Sequence, residues 1–330
     1  MKKETKIKIG VVGVGYLGNF HLKQLKGIPK ISISGLYDID SNRADEMSKL
    51  YDVKTYSSVD ELLKESDAVS IVTPTRNHYS IADYALNSGC HLFIEKPITD
   101  NIKHAGLLLN KAKKLKKIIQ VGHIERFNPA FTVLKNLDIQ PRFIEAHRLA
   151  EFNPRGNDVP VILDLMIHDL DIILSLVKSE IKDIKANGVK VVSATVDIAN
   201  ARVEFENGCV ANLTASRISQ KIMRKMRLFQ ESDYITIDFQ NGVLEEYKVY
   251  DKSPSPKKGD QVTELGGEEK KYVLYRKPDV PQHDALKEEL IHFAHSIQNA
   301  QKPETDGQSA AKALSIALEI QNIIDQRSHS

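Results

Sequence analysis

The stretch Ile7-Lys8-Ile9-Gly10-Val11-Val12-Gly13-Val14-Gly15-Tyr16-Leu17-Gly18 decides the fold. An apolar run comes first, then three glycines spaced G-x-G-x-x-G, then a helical pattern from Tyr16 to Leu25. A strand, such a turn and a helix in that order form a dinucleotide-binding fingerprint. The first glycine makes the tight turn, the second lets a pyrophosphate approach the backbone, and the third lets helix and strand pack closely. The helix N-terminus offers free N–H groups and the positive end of its dipole to phosphates. Gly13, Gly15 and Gly18, with Tyr16 and Leu17 between them, are therefore candidate cofactor-binding residues.

A second apolar strand, Ile31 to Tyr37, ends in Asp38, twenty residues beyond Gly18. An acidic side chain at that distance accepts hydrogen bonds from the adenosine ribose hydroxyls. A carboxylate there repels a 2′-phosphate, so the expected cofactor is NAD rather than NADP. Arg43 stands near enough to permit both. Asp38 also reads as a turn or helix-capping residue, because Asp40, Ser41 and Asn42 follow it.

The chain has 330 residues, enough for two domains. Its composition, 27% charged and 41% hydrophobic, is that of a globular protein, and a net charge of +2 points to neither nucleic acid nor a membrane surface. The basic run Lys111 to Lys117 is interrupted by Ala112 and Leu115 and followed by Ile118, so it reads as the solvated face of a helix. Cys90 and Cys209 give no disulfide framework and no metal-ligand spacing, so no metal site is expected. No uninterrupted apolar stretch spans a bilayer, and the N-terminus leads into a strand, so the expected location is cytoplasmic.

Residues 1–122 alternate strands (Lys6–Val12, Ile31–Tyr37, Ala68–Val72, His91–Ile94, Ile118–Gly122) with helical patterns such as Ser57–Glu65, Ser80–Ser88 and Lys103–Leu115. That alternation predicts a doubly wound parallel sheet of Rossmann type, an α/β domain whose ligands lie beyond the carboxyl ends of its strands. Residues 123–330 read differently. A helical piece, Pro129–Leu137, and a strand, Arg142–Ala150, precede an apolar helix, Val161–Val177. Consecutive strands follow: 182–192, 198–205, 208–215, 226–230, 234–238 and 244–250, with a hairpin signal at Asn207-Gly208. This predicts an α+β domain built on a large, mostly antiparallel sheet with one face open to a partner subunit. Residues 251–270 read as a mobile loop, and helices at Ala285–Ala300 and Ser309–Gln326 close the chain and are expected to pack back on the first domain.

Three strand ends carry candidate chemistry. Thr73-Pro74-Thr75-Arg76-Asn77-His78 could line the cofactor, with Thr73, Pro74, Asn77 and His78 as candidates, or form a turn capped by Thr75. Glu95-Lys96-Pro97 places a lysine at the cleft, able to donate a hydrogen bond to a substrate hydroxyl or to take its proton, with Glu95 and Lys96 also candidates for cofactor contact. Gly122-His123-Ile124-Glu125-Arg126-Phe127-Asn128-Pro129 reads either as a polar pocket wall or as a domain boundary in which Asn128 caps the helix opened by Pro129. In the second domain, Asp164, His168 and Asp171 fall within an arc of roughly 60° on a regular helix. Burying them is costly unless they pair or serve a site. Asp164 and His168, at i and i+4, can hydrogen-bond, which would fix the imidazole tautomer and suit His168 to act as general acid or base.

Together these residues resemble the Gfo/Idh/MocA family of sugar and cyclitol oxidoreductases over essentially the whole chain. The markers are Gly13-x-Gly15-x-x-Gly18, Glu95-Lys96-Pro97 and Asp164-x-x-x-His168. The resemblance implies that Lys96 and His168, with Asp164 beside them, are the catalytic residues next to the nicotinamide, and that Lys96-Pro97 is cis. It also implies a homodimer or homotetramer formed through the second-domain sheet. Within the family, residues 122–129 and 164–171 look most like the branch that oxidises C3 of UDP-N-acetylglucosamine. The implied function is NAD-dependent hydride transfer from a secondary hydroxyl of a sugar or nucleotide sugar. His123, Arg126, Asn128 and Arg155 are then candidates for substrate contacts, with arginine suited to bidentate phosphate recognition. A dehydrogenase of a free sugar, inositol or glucoside, and a non-catalytic sensor, are the alternatives.

Overall fold

The computed structural model describes residues 6–153, 159–267 and 270–327, and these form two compact units. One comprises residues up to Phe127 together with Asp284–Ser315; the other comprises Asn128–His283 and the end of the chain from Ile316.

In chain order the first run is β1 (Ile7–Val12), α1 (Tyr16–Lys26), β2 (Ile31–Tyr37), α2 (Ser41–Tyr51), α3 (Val59–Lys64), β3 (Ala68–Ile71), α4 (His78–Asn87), β4 (His91–Glu95), α5 (Ile102–Leu115) and β5 (Ile119–Gly122). The five strands are parallel in the order β2-β1-β3-β4-β5. The chain reverses its winding between β1 and β3, and in such sheets the crevice beyond the strand ends at that point takes the ligand. Capping explains several boundaries. Asp40 opens α2 by accepting from the Asn42 and Arg43 amides, Ser58 opens α3 and Asn101 opens α5. Sequence periodicity did not reveal α2, whose residues Ser41-Asn-Arg-Ala-Asp-Glu-Met are mostly polar and bury only Ala44 and Met47.

The second run begins with α6 (Pro129–Leu134) and β6 (Phe143–Leu149), then a π-helical turn, Ile162–Met166, leading into α7 (Ile167–Leu176). The strands β7 (Ile181–Val189), β8 (Ile198–Phe205), β9 (Val210–Ser216), β10 (Met223–Phe229), β11 (Asp233–Asp238), β12 (Val243–Tyr250), β13 (Gln261–Leu265) and β14 (Lys271–Arg276) follow, and α8 (Ala285–Gln298) and α9 (Gly307–Arg327) close the chain. One nine-stranded sheet runs β13-β14-β12-β11-β10-β6-β9-β8-β7, antiparallel throughout except for the parallel pair β6–β9. The expected loop at 251–270 is corrected here. Gln261–Leu265 pairs with Lys271–Arg276 as an edge hairpin, its charged and glycine-rich surroundings masking short strand segments such as Tyr272-Val-Leu-Tyr275.

The first unit extends past Gly122 to Phe127 and takes in α8. Gln120 Nε2 donates to the Glu289 carbonyl at 2.9 Å, and Phe93 meets Phe293 edge-on at 5.7 Å. Leu290, Phe293 and Ala294 of α8 join Ile7, Ile9, Val11, Leu22, Leu25 and Leu36 in one buried core. Each fully buried aliphatic side chain of this kind contributes about 1.5–3 kcal/mol. Cys90 and Cys209 are buried thiols, both pushed up to about 11 by burial, and neither is poised to react.

His91, at the start of β4, accepts the Ile118 amide through Nδ1 at 3.0 Å. Burial, helped by the Lys117 charge and opposed by Asp67, pushes its pKa down from 6.5 to about 4. The unfolded chain therefore binds a proton that the fold refuses, so stability is lost as pH falls from 6.5 toward 4. His91→Gln keeps an acceptor for Ile118 but does not titrate, so its melting temperature should fall less than the wild type's between pH 7 and pH 4.5. Identical slopes in a pH series of thermal melts would contradict this.

Candidate active site

The glycine turn is shaped by contact. Gly13 has φ +88°, and a Cβ there would lie 2.7 Å from the Val72 carbonyl oxygen. A Cβ on Gly18 would lie 2.1 Å from the Gly13 carbonyl oxygen, so α1 can sit on the turn only with glycine at 18. Gly15 is different: nothing lies within 4 Å of where its Cβ would be. The space beside Gly15 is open at the N-terminus of α1.

Asp38, at the end of β2, accepts the Val14 amide through Oδ2 at 2.7 Å and the Asp40 amide through Oδ1 at 3.0 Å. The helix cap is Asp40, so Asp38 serves the glycine turn instead. Each of its oxygens keeps a second acceptor position. Arg43 Nε donates to the Val14 carbonyl at 2.9 Å, and its Nη1 pairs with Glu46 at 2.6 Å, which holds the guanidinium along the turn. Tyr16 and Leu17 are 70% and 51% exposed, and Ile39 is 93% exposed. The exposed apolar side chain of Ile39, next to Asp38 in sequence, suits an adenine ring. Ile39 was not singled out in the sequence, where only its position after Asp38 hints at the role.

At the end of β3, Thr73 Oγ1 is buried and makes no hydrogen bond. That orphaned hydroxyl and the open face of Gly15 both fit a bound dinucleotide. Pro74 and Asn77 are exposed in the same segment. His78 is not on the surface: its Nδ1 lies 2.9 Å from the Pro97 carbonyl and its Nε2 2.8 Å from the Thr73 carbonyl. Burial pushes the imidazole below its usual range, against the pull of those carbonyls. His78 thus links the β3 end to the segment after Lys96 from behind.

The Lys96-Pro97 peptide is cis, and Lys96 is half-buried at the end of β4. Beneath it, Glu95 Oε1 accepts from His21 Nε2 at 2.9 Å, His21 Nδ1 lies 2.9 Å from Ser70 Oγ, and Glu95 Oε2 accepts the Lys96 amide at 3.3 Å. Burial raises the Glu95 carboxyl, but the His21 hydrogen bond, the His21 and Lys96 charges and the Lys96 amide outweigh it and hold it below its usual range. A Cβ on Gly122 would press on this carboxylate at 2.8 Å. The Glu95 side chain therefore supports the strand end from within. His21 and Ser70 escaped sequence reading because a histidine on an apolar helix and a serine in a strand carry no pattern of their own.

His123, Glu125 and Arg126 are buried, and Arg126 Nη2 donates to the Glu304 carbonyl at 3.3 Å. Asn128 caps α6 by accepting the Ala130 amide at 3.1 Å and donates to the Phe239 carbonyl at 2.8 Å. These contacts fit the boundary reading of residues 123–128. Arg155 lies outside the described residues.

In the second unit the helix carrying Asp164 and His168 is not regular. Its first turn, Ile162–Met166, is π-helical, and such turns add one residue and occur often at functional sites. The predicted single face for Asp164, His168 and Asp171 is not kept. Asp164 and His168 are half-exposed, whereas Asp171 and Asp169 are buried. Asp169 receives a bidentate hydrogen bond from Arg148 of β6, at 3.0 and 2.9 Å. Among the described residues no group of three or more His, Cys, Asp and Glu side chains is arranged to hold a metal ion, and no helix is long and apolar enough to cross a membrane.

The turn separates two roles for its glycines. Gly15→Ala should fold as the wild type does but bind NADH at least about tenfold more weakly, since in a G-x-G-x-x-G turn the second glycine is the one that lets a pyrophosphate approach. Gly18→Ala should lose thermal stability as well. Calorimetry and NADH fluorescence titration of both variants check this; equal melting losses would contradict it.

Residues 7–123 match the family model described as an oxidoreductase family with an NAD-binding Rossmann fold, and residues 140–245 match the GFO/IDH/MocA C-terminal domain. The chain is 36% identical over 97% of its length, and 97% of the relative's, to UDP-N-acetylglucosamine 3-dehydrogenase of Acidithiobacillus ferrooxidans. A solved structure of that enzyme superposes with a TM-score of 0.88 at 35% identity, covering 97% of this chain and 98% of the other. The NAD(+)-dependent scyllo-inositol 2-dehydrogenase of Bacillus subtilis is 28% identical over 66% of this chain and 69% of its own. The glycine turn, the Lys96 strand end, the Asp164–His168 helix and these matches lead to one conclusion: the chain belongs to the Gfo/Idh/MocA family of nicotinamide-dependent oxidoreductases.

Proposed function

We propose that this protein is an NAD-dependent dehydrogenase of a nucleotide sugar, acting at C3 of a UDP-N-acetylhexosamine. The observation that carries the reading is full-length similarity to a UDP-N-acetylglucosamine 3-dehydrogenase, with Lys96, Asp164 and His168 all present. Inositol dehydrogenase relatives share less identity, 28% over 66% of the chain and 24% over 97% of it, which favours the nucleotide sugar. A sensor would need no such set of proton-handling side chains.

Asp38 supports NAD over NADP. A carboxylate at the end of β2 favours a ribose hydroxyl over a 2′-phosphate, and Arg43 is held by the Val14 carbonyl and Glu46. Gly13, Gly15, Tyr16, Leu17, Gly18, Thr73, Pro74 and Asn77 are the proposed cofactor contacts, with His78 and Glu95 acting from behind. Bound nicotinamide supplies the hydride acceptor. His168, oriented by Asp164, takes the proton of the substrate hydroxyl, and Lys96 hydrogen-bonds that oxygen as negative charge develops on it. Arg126, His123 and Asn128 are buried, so they are second choices for substrate contact.

The second-unit sheet supports self-association. Phe143, Phe229, Tyr234, Tyr247 and Tyr275 are paired in register across five strands, their rings 4.8–5.5 Å apart, and all are only half-buried. Such an aromatic ladder suits a homodimer or homotetramer interface. A cytoplasmic location fits a protein that draws on NAD and a nucleotide sugar.

Lys96→Met should lower turnover of UDP-N-acetylglucosamine at least about a hundredfold while NADH still binds. NADH formation is followed by absorbance, with an aminotransferase added to draw off the ketone. Near wild-type turnover in the variant would overturn the role given to Lys96.

A further inference from the structure

The π-turn Ile162–Met166 is flanked by two buried arginine–aspartate pairs. Just after it, Arg148 Nε and Nη2 of β6 grip both carboxylate oxygens of Asp169, with the side chains 4% and 5% exposed. Asp169 directly follows His168 in α7. Just before the turn, Arg217 donates through Nη2 to the carbonyls of Val159 and Val196, and its Nε lies 3.7 Å from Asp197. The Val161 amide also donates to the Val196 carbonyl, at 3.1 Å. Asp197 is itself fixed by the Val191, Val192 and Ser193 amides at 2.7–2.9 Å.

An i→i+5 turn is intrinsically less favourable than an α-turn and tends to be kept where function needs it. Loss of its extra residue would rotate everything downstream by about 100°. His168 would then leave the half-exposed face. Buried ion pairs add little stability compared with apolar replacements, so two of them around one turn point to geometry as their purpose.

We propose that the Arg148–Asp169 and Arg217–Asp197 pairs clamp the π-turn and so aim Asp164 and His168. They are positioning residues that touch no substrate. The proposal rests on the reading of His168 and Asp164 as the proton-handling groups.

The test replaces the inner pair as a unit, Arg148→Met with Asp169→Leu, so that no charge is left stranded. The clamp predicts an unchanged or higher melting temperature. It predicts kcat for UDP-N-acetylglucosamine oxidation at least about tenfold lower with KM within about threefold, and faster hydrogen exchange at amides 161–171. Arg148→Lys keeps the charge but not the planar fork, and should fall between the two. It also decides the matter if the double variant does not fold. Wild-type kcat, or wild-type exchange over 161–171, in the folded variants would overturn the clamp. If the wild-type protein does not turn over UDP-N-acetylglucosamine, the substrate reading fails, and the exchange measurement alone decides the clamp.

Discussion

The first unit depends on one steric constraint: α1 rests on the glycine turn so closely that any side chain at position 18 would enter the Gly13 carbonyl. That contact sets the direction in which the helix N-terminus points. It also brings the Val14 amide within 2.7 Å of Asp38, so the acidic residue at the end of β2 and the turn after β1 form one rigid piece. Arg43, bound to the Val14 carbonyl, completes that piece from α2. The open volume beside Gly15 is what remains once these groups are placed.

Both units use buried polar contacts to hold chemistry in place. In the first, Ser70, His21 and Glu95 form a chain under the strand end that carries Lys96. In the second, Arg148 of the sheet grips Asp169 after the π-turn that leads to His168, and Arg217, paired with Asp197, holds the Val159 carbonyl before it. Buried charges cost desolvation energy that apolar packing does not. Their position directly behind the proposed acid–base groups accounts for that cost: they fix side-chain direction, which hydrophobic packing does less sharply.

Much of this was legible in the sequence because it is local. The parallel sheet and the glycine turn lie within short segments whose pattern carries their meaning, and the same locality singles out Asp38, Lys96, Asp164 and His168 as candidates. Asn128 could be read as a helix cap for the same reason, from the proline that follows it. What was hidden depends on distant partners. His21 and Ser70 are 49 residues apart, and Arg148 and Asp169 are 21 apart, so neither contact leaves a periodic trace. The π-turn was invisible because apolar residues satisfy a 3.6-residue period and its neighbour equally well over one turn. The β13–β14 hairpin was missed because its strands are short and lie among charged and glycine residues that read as a loop.

The central claim is that hydride leaves C3 of a UDP-N-acetylhexosamine for the cofactor held in the glycine turn. UDP-N-acetylglucosamine carrying deuterium at C3 tests it most directly, with the reduced cofactor analysed by mass spectrometry after incubation with the protein, NAD and an aminotransferase. The account predicts NADH heavier by one mass unit, and unlabelled NADH from substrate deuterated elsewhere on the ring. Unlabelled NADH from the C3-deuterated sugar, formed at a normal rate, would contradict it.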